Sequence, residues 1–102
     1  MLNNFVIVGR ITKIENEEIE NGASKTIVTL AVPRSFKNIN GEYKTDFMPC
    51  TLFGNMAETT IKYCRKSDLI ATKGRIQTNE NGLELIAERV SSLSSRKAED
   101  GE

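Results

Sequence analysis

The stretch Asp46-Phe47-Met48-Pro49-Cys50-Thr51-Leu52-Phe53-Gly54 decides how this chain folds, because residues two apart on an extended strand share a face. Met48, Cys50 and Leu52 fall on one side and read as core, while Phe47, Pro49, Thr51 and Phe53 fall on the other. About 20 Å of extended backbone separates Phe47 from Phe53, on the face that the pattern does not assign to the core. Two readings compete for these rings. Burial under a second layer or subunit is the commoner fate of strand phenylalanines; the other is service as platforms on which bases stack. Pro49 removes a ladder donor, which places the strand at an edge or a bulge.

Working towards the N-terminus, SFKNINGEYKT (residues 35–45) holds an Asn40-Gly41 turn bracketed by Phe36 and Tyr43 and by Arg34, Lys37 and Lys44. A polar hairpin tip needs no rings for solubility. Phe36 and Tyr43 are therefore either cross-strand packing partners, with Tyr43 bracing the hairpin, or contacts to something flat and anionic. Residues 25–34 alternate before it, with Thr26, Val28, Leu30 and Val32 against Ile27, Thr29, Ala31 and Pro33, and form a second strand. Residues 15–23 are mostly acidic and polar, end near Asn21-Gly22, and read as a loop or short irregular hairpin. Residues 2–14 make a long first strand, apolar on both faces over residues 5–8 and then bent at Gly9-Arg10. Such a glycine marks a bulge or a corner where one strand serves two sheets, and Arg10 then serves the bend or a subunit contact.

Towards the C-terminus the period changes. Asn55 followed by Glu58 resembles a helix-capping pair, Ala57, Ile61 and Cys64 share one helical face, and Arg65 and Lys66 suit the negative end of the helix dipole. Residues 69–78 are a fourth strand, with Ile70, Thr72, Gly74 and Ile76 inward and Leu69, Ala71, Lys73, Arg75 and Gln77 outward. Asn79-Glu80-Asn81-Gly82 is a tight turn into a fifth strand over residues 83–93. The expected fold is all-β with one short helix, a five-stranded OB-fold barrel with the helix between strands three and four. One domain spans residues 1–94, and residues 95–102 form a short polar, acidic tail with a frayed end.

Composition narrows the function classes. At 102 residues the chain holds one domain with a modest core. It has no apolar run long enough to span a membrane and no secretory signal, so the expected compartment is the cytoplasm. Fourteen basic and fourteen acidic residues cancel, yet eight basic residues face four acidic ones between Arg34 and Arg75. The middle of the chain is positive and its flanks are negative. With no histidine, and Cys50 and Cys64 outside any CxxC spacing, a zinc site is not expected. No nucleophile motif, phosphate loop or ligand cluster is present, so neither enzyme activity nor a cofactor is expected.

Taken together, several segments resemble the bacterial-type single-stranded DNA-binding protein family. They are Met1-Leu2-Asn3 with Val6-Ile7-Val8-Gly9-Arg10-Ile11-Thr12, then Leu30-Ala31-Val32, then Asp46-Phe47 leading to Leu52-Phe53-Gly54. Ala57-Glu58, Tyr63-Cys64-Arg65-Lys66 and Gly74-Arg75-Ile76-Gln77-Thr78 follow in the same order. The resemblance runs from Met1 to about Leu93 and rests on order and spacing, since no one motif is specific. It implies an OB-fold that wraps single strands around aromatic residues during replication, recombination and repair. It also implies a homotetramer, with a dimer as the alternative, and a nucleoid-associated location. Phe36 and Phe47 stand where many members have tryptophan, and Phe53 matches a base-stacking phenylalanine. Lys62 and Lys73 stand where phosphate contacts are expected.

Three departures change those expectations. The turn at residues 79–82 is much shorter than the usual loop and lacks its aromatic residue. The segment Lys97-Ala98-Glu99-Asp100-Gly101-Glu102 has neither the glycine-rich linker nor the acidic-hydrophobic tip by which members recruit other enzymes, so that recruitment is not expected. The absence of tryptophan removes the largest stacking surfaces. The expected function is sequence-tolerant binding of single-stranded DNA. Phe36, Phe47 and Phe53 stack on bases, with further contacts from Tyr43, Arg10, Arg34, Lys37, Lys44, Lys62, Lys73 and Arg75. Two other readings stand beside it: an OB-fold accessory protein of primosome assembly, and an oligomeric scaffold whose outer rings are interface core.

Overall fold

A strand with core residues on one face needs a layer to cover that face, and here the five strands supply it to one another by closing. The computed structural model describes residues 1–18 and 24–93. Its elements are β1 (Phe5–Glu18), β2 (Ser24–Lys37), β3 (Tyr43–Phe53), α1 (Gly54–Tyr63), β4 (Leu69–Asn79) and β5 (Gly82–Ser92). The strands close into a barrel in the order β1-β2-β3-β5-β4, with α1 between β3 and β4, as expected of the OB-fold. Ile11, Val28, Leu30, Cys50, Leu52, Ala57 and Ile70 form the core, with Ile7, Met56, Ile76 and Leu85 packed around them. Each fully buried Leu or Ile contributes roughly 1.5–3 kcal/mol of apolar transfer.

The bend in β1 lies where glycine suggests it. Residues 5–10 pair with β4 and residues 10–18 pair with β2, with a register slip between Ile11 and Lys13. A Cβ on Gly9 would lie 2.7 Å from the Ala31 carbonyl oxygen, so only glycine lets β2 approach this closely. The slip is tied to the turn before β4: Ile11 N–H donates to Asp68 O (2.9 Å) and Ser67 N–H donates to Ile11 O (2.7 Å). Gly74 stands at a second bulge, against β5, where a Cβ would overlap the Ile86 carbonyl.

Several expectations need correction. No side chain caps α1: the N-cap position is Phe53, in extended backbone, and Glu58 accepts a hydrogen bond from Ser24 Oγ at 3.0 Å instead. Gly54, at φ +65°, turns the chain from strand into helix before Asn55 is reached, so the Asn55–Glu58 pair falls within the helix. On α1 the residues facing the barrel are Ala57 and Thr60, followed by Cys64, whereas Ile61 is exposed. Of the two readings of residues 15–18, loop or short hairpin, the paired one holds, since β1 and β2 run on past the core as hairpin arms. Backbone ladders need no apolar side chains, so alternation fades there while pairing continues. For the same reason β2 reaches Lys37 and β3 begins at Tyr43, which leaves a short tip closed by Asn38 Oδ1 accepting from the N–H groups of Asn40 and Glu42.

Pro49 pairs with Thr29 of β2, and among the described residues β3 meets β5 only at Cys50↔Leu85 and Thr51↔Ile86. Residues 43–49 of β3 therefore have one open edge, as the proline predicts. The Asn21-Gly22 turn and the tail expected at residues 95–102 lie outside the described residues.

Candidate nucleic-acid interface

The two faces of β3 differ as alternation demands, and then the outer face divides again. Cys50 and Leu52 are wholly buried, whereas Phe47 is 62% and Phe53 41% exposed. Thr51, on the outer face between those rings, is only 3% exposed. Its cover is the tip of the β4–β5 hairpin: Thr51 Oγ1 donates to Glu84 Oε2 at 3.1 Å, and Asn79 Nδ2 donates to Glu84 Oε1 at 3.1 Å. Two exposed rings thus bracket a covered threonine.

Register decides what stands beside each ring. Directly paired residues share a face, so β1, β2 and β3 form lateral rows Arg10–Ala31–Phe47, Lys13–Thr29–Pro49, Glu15–Ile27–Thr51 and Glu17–Lys25–Phe53. Each β1 residue stands roughly 10 Å from its β3 counterpart, two strand spacings away. Arg10 and Lys13 flank the Phe47 end; Glu15, Glu17 and Lys25 flank the Phe53 end. Lys13 Nζ is 3.1 Å from Glu15 Oε2 and Lys25 Nζ is 3.8 Å from Glu17 Oε1. Lys25 was not among the expected contacts, although it is the residue opposite Phe53. Only the β2–β3 register identifies that position, and the register slips between Pro33 and Lys37, which the Asn40-Gly41 turn does not reveal.

The other expected residues are placed as follows. Phe36 is 64% exposed, in the irregular stretch between Pro33 and Lys37. Tyr43, 61% exposed, pairs across the hairpin with Lys37, whose ammonium lies 5.7 Å from the ring centroid, so its cross-strand partner is not Phe36. Arg34 makes a two-pronged contact with Asp46 (Nε to Oδ2 3.0 Å, Nη2 to Oδ1 2.9 Å). That hydrogen bonding holds the Asp46 carboxyl below its usual range, against a smaller opposing effect of desolvation, and raises Arg34 in turn. Asp46 precedes Phe47, so its side chain leaves the strand on the opposite face.

Arg10 Nη1 donates to Ser67 O at 2.9 Å, which supports the bend reading of this residue. Arg75 pairs with Glu88 at 2.8 Å. Lys73 stands on β4 in a row with Val6 and Arg89, on the far side of β1 from Phe47. Lys62 lies over the Tyr63 ring on α1 at 5.4 Å, and Lys44 is exposed beside Tyr43.

Two grooves adjoin the rings. An apolar one of about 460 Å³ opens below Phe47 at the barrel mouth, lined by Phe5, Ile7, Met48, Ile76 and Leu85. A polar one of about 370 Å³ lies over Pro49 and Thr51, between Lys25 on β2 and Asn79, Asn81 and Glu84 of the β4–β5 hairpin. Among the described residues no group of His, Cys, Asp or Glu side chains converges as a metal-ligand set. Both cysteines are buried, and burial pushes the Cys50 thiol up, away from the reactive thiolate. The arrangement offers exposed aromatic surfaces and charge.

The family model described as the single-strand binding protein family matches residues 2–93. The chain is 43% identical over 95 residues to single-stranded DNA-binding protein B of Bacillus subtilis, spanning 88% of this chain and 84% of that protein. It is 38% identical over 110 residues to the single-stranded DNA-binding protein of Enterococcus faecalis, spanning 98% of this chain but 58% of that longer protein. Among solved structures, a deletion mutant of the single-stranded DNA binding protein from Thermus aquaticus superposes with a TM-score of 0.74 at 22% identity. The match covers 93% of this chain and 52% of that one, a likeness of fold.

Proposed function

The chain belongs to the single-strand binding protein family, and we propose that it binds single-stranded DNA with little regard to sequence, in replication, recombination and repair. Membership makes it a binding protein and not an enzyme. The observation that carries the reading is the exposure of Phe47 and Phe53 on one strand face, when the opposite face of the same strand is wholly buried at Cys50 and Leu52. A fold whose core is satisfied has no packing need for two large rings in water. Each ring that receives a base contributes about 1–3 kcal/mol, and stacking tolerates any base because every base has a π-face.

Phe36 extends the stacking surface at the hairpin, with Tyr43 beside Lys37. Arg10, Lys25, Lys37, Lys44, Lys62 and Lys73 neutralise phosphates. Arg34 and Arg75 each hold a carboxylate and contribute only as far as a phosphate displaces it. A net charge of zero makes stacking outweigh long-range attraction. The protein acts as a homo-oligomer, a tetramer with a dimer as the alternative; Val6 and Val8, exposed on the outer face of β1, supply an apolar strip for a second copy. It works at the nucleoid; among the described residues no helix is long and apolar enough to cross a membrane.

The test is a titration with oligothymidylates of increasing length at two salt concentrations, alongside a mass measurement in solution. Replacing both rings, Phe47→Ala with Phe53→Ala, should reduce affinity by about a hundredfold or more in a protein that remains folded. Unchanged affinity in the folded double variant would remove the stacking assignment.

A further inference from the structure

Sequence-tolerant stacking accounts for the two rings, but not for what lies between them. The stretch from Phe47 to Phe53 passes under the polar groove, so a strand stacked on both rings crosses that groove beside the β4–β5 hairpin, whose Glu84 covers Thr51. There the Glu84 side chain is half-buried, with one carboxylate oxygen held by Thr51 Oγ1 and the other by Asn79 Nδ2. Asn79 is itself fixed, since its Oδ1 accepts from the Asn81 N–H at 2.8 Å. The carboxylate is therefore oriented before any ligand arrives. An ionised carboxylate accepts about four hydrogen bonds and donates none, and these two contacts leave acceptor positions unused.

We infer that Glu84 gives this interface a base preference: its carboxylate accepts from the exocyclic amine of a cytosine or adenine seated between Phe47 and Phe53, and disfavours thymine there. Cytosine presents N4–H2 and adenine N6–H2, donors that a fixed acceptor can read. Thymine has no exocyclic amine, and its one ring N–H lies between two carbonyl oxygens that would face the carboxylate. Asn79 and Thr51 are positioning residues in this account; Glu84 is the one that touches the base. The inference rests on the single-strand reading above and adds selectivity at one subsite.

The experiment measures affinity of the full chain for oligodeoxycytidylate and oligothymidylate of equal length, at neutral pH and fixed salt. Removing a carboxylate raises affinity for any polyanion, so the ratio of the two affinities is the readout. The parent should favour oligodeoxycytidylate, and Glu84→Gln should lower the ratio about tenfold, because the amide presents a donor to thymine O4. Asn79→Ala keeps the carboxylate but loosens its orientation, and should lower the ratio less, about two- to threefold. A ratio unmoved by Glu84→Gln while both oligomers bind would overturn the inference and leave the stacking reading intact. So would equal shifts in both variants, which would make Glu84 a brace for the hairpin. Failure of the parent to bind either oligomer would remove the single-strand reading itself.

Discussion

Phe47 and Phe53 stand on one face of one strand, six positions apart in sequence, and their surroundings differ in almost every physical respect. Phe47 lies on the open-edged part of β3, above an apolar groove, in a row with Arg10. Phe53 lies at the junction with α1, less exposed, in a row with Lys25 and Glu17. The strand supplies the common face, and its neighbours supply the difference. A polyanion crossing both rings passes from a positive flank to a mixed one, so the two ends of the interface should not contribute alike.

The most damaging substitution should fall on the other face of the strand. Leu52→Ala opens a cavity in the barrel and should cost about 2–5 kcal/mol by chemical denaturation. Its neighbour Phe53→Ala should change stability far less. If the two prove equally destabilising, Phe53 belongs to the core and the division of β3 into two faces fails.

Next in size comes the contrast between the rings. Phe47→Ala should reduce affinity for oligothymidylate about tenfold to a hundredfold, with the thermal midpoint nearly unchanged. Phe53→Ala should cost less, about tenfold at most, because its ring has less exposed surface and a carboxylate in its row. The reverse order in a fluorescence titration would break the comparison.

A smaller effect should come from charge. Glu17→Gln removes the partner of Lys25 and one negative charge near Phe53, and should raise affinity about two- to fourfold at low salt. The gain should disappear at high salt as screening shortens the reach of both charges. A gain that survives high salt would mean that Glu17 acts by shape.

The smallest concerns Asp46, next to Phe47. Its folded carboxyl is depressed by the Arg34 hydrogen bonds, so the pair's contribution is present above the unfolded pKa and is lost as pH falls through the folded one. A carboxyl-carbon titration by nuclear magnetic resonance should place Asp46 below the ordinary value of about 3.9, and Arg34→Gln should return it there. Because the pair is exposed, acid stability of the whole fold should scarcely change.

Element order, the inward residues of β3 and β4, the bend at Gly9 and the outward rings were all legible, because each depends on local periodicity or on glycine and proline chemistry. Features set by pairing were harder to read. The hairpin arms beyond Ile14 and Pro33 carry no alternating apolar residues, so their extent was underestimated. The capping pair at Asn55 and Glu58 looked sound in sequence, but Gly54 had already turned the chain. Lys25 carries no local signal, because its place beside Phe53 depends on a partner nearly thirty positions away.

By itself the sequence determined that this is a small barrel with two rings directed away from its core, since alternation on a strand is a property of consecutive residues. It also determined a family resemblance through the order and spacing of its segments. Only the tertiary structure decided that Thr51 is covered while Phe47 and Phe53 beside it are exposed, that Arg34 and Arg75 already hold carboxylates, and that Glu84 is tied to Thr51. Those are matters of register and of one hairpin folding over another strand. Both depend on contacts between residues far apart in the chain, which no local pattern records.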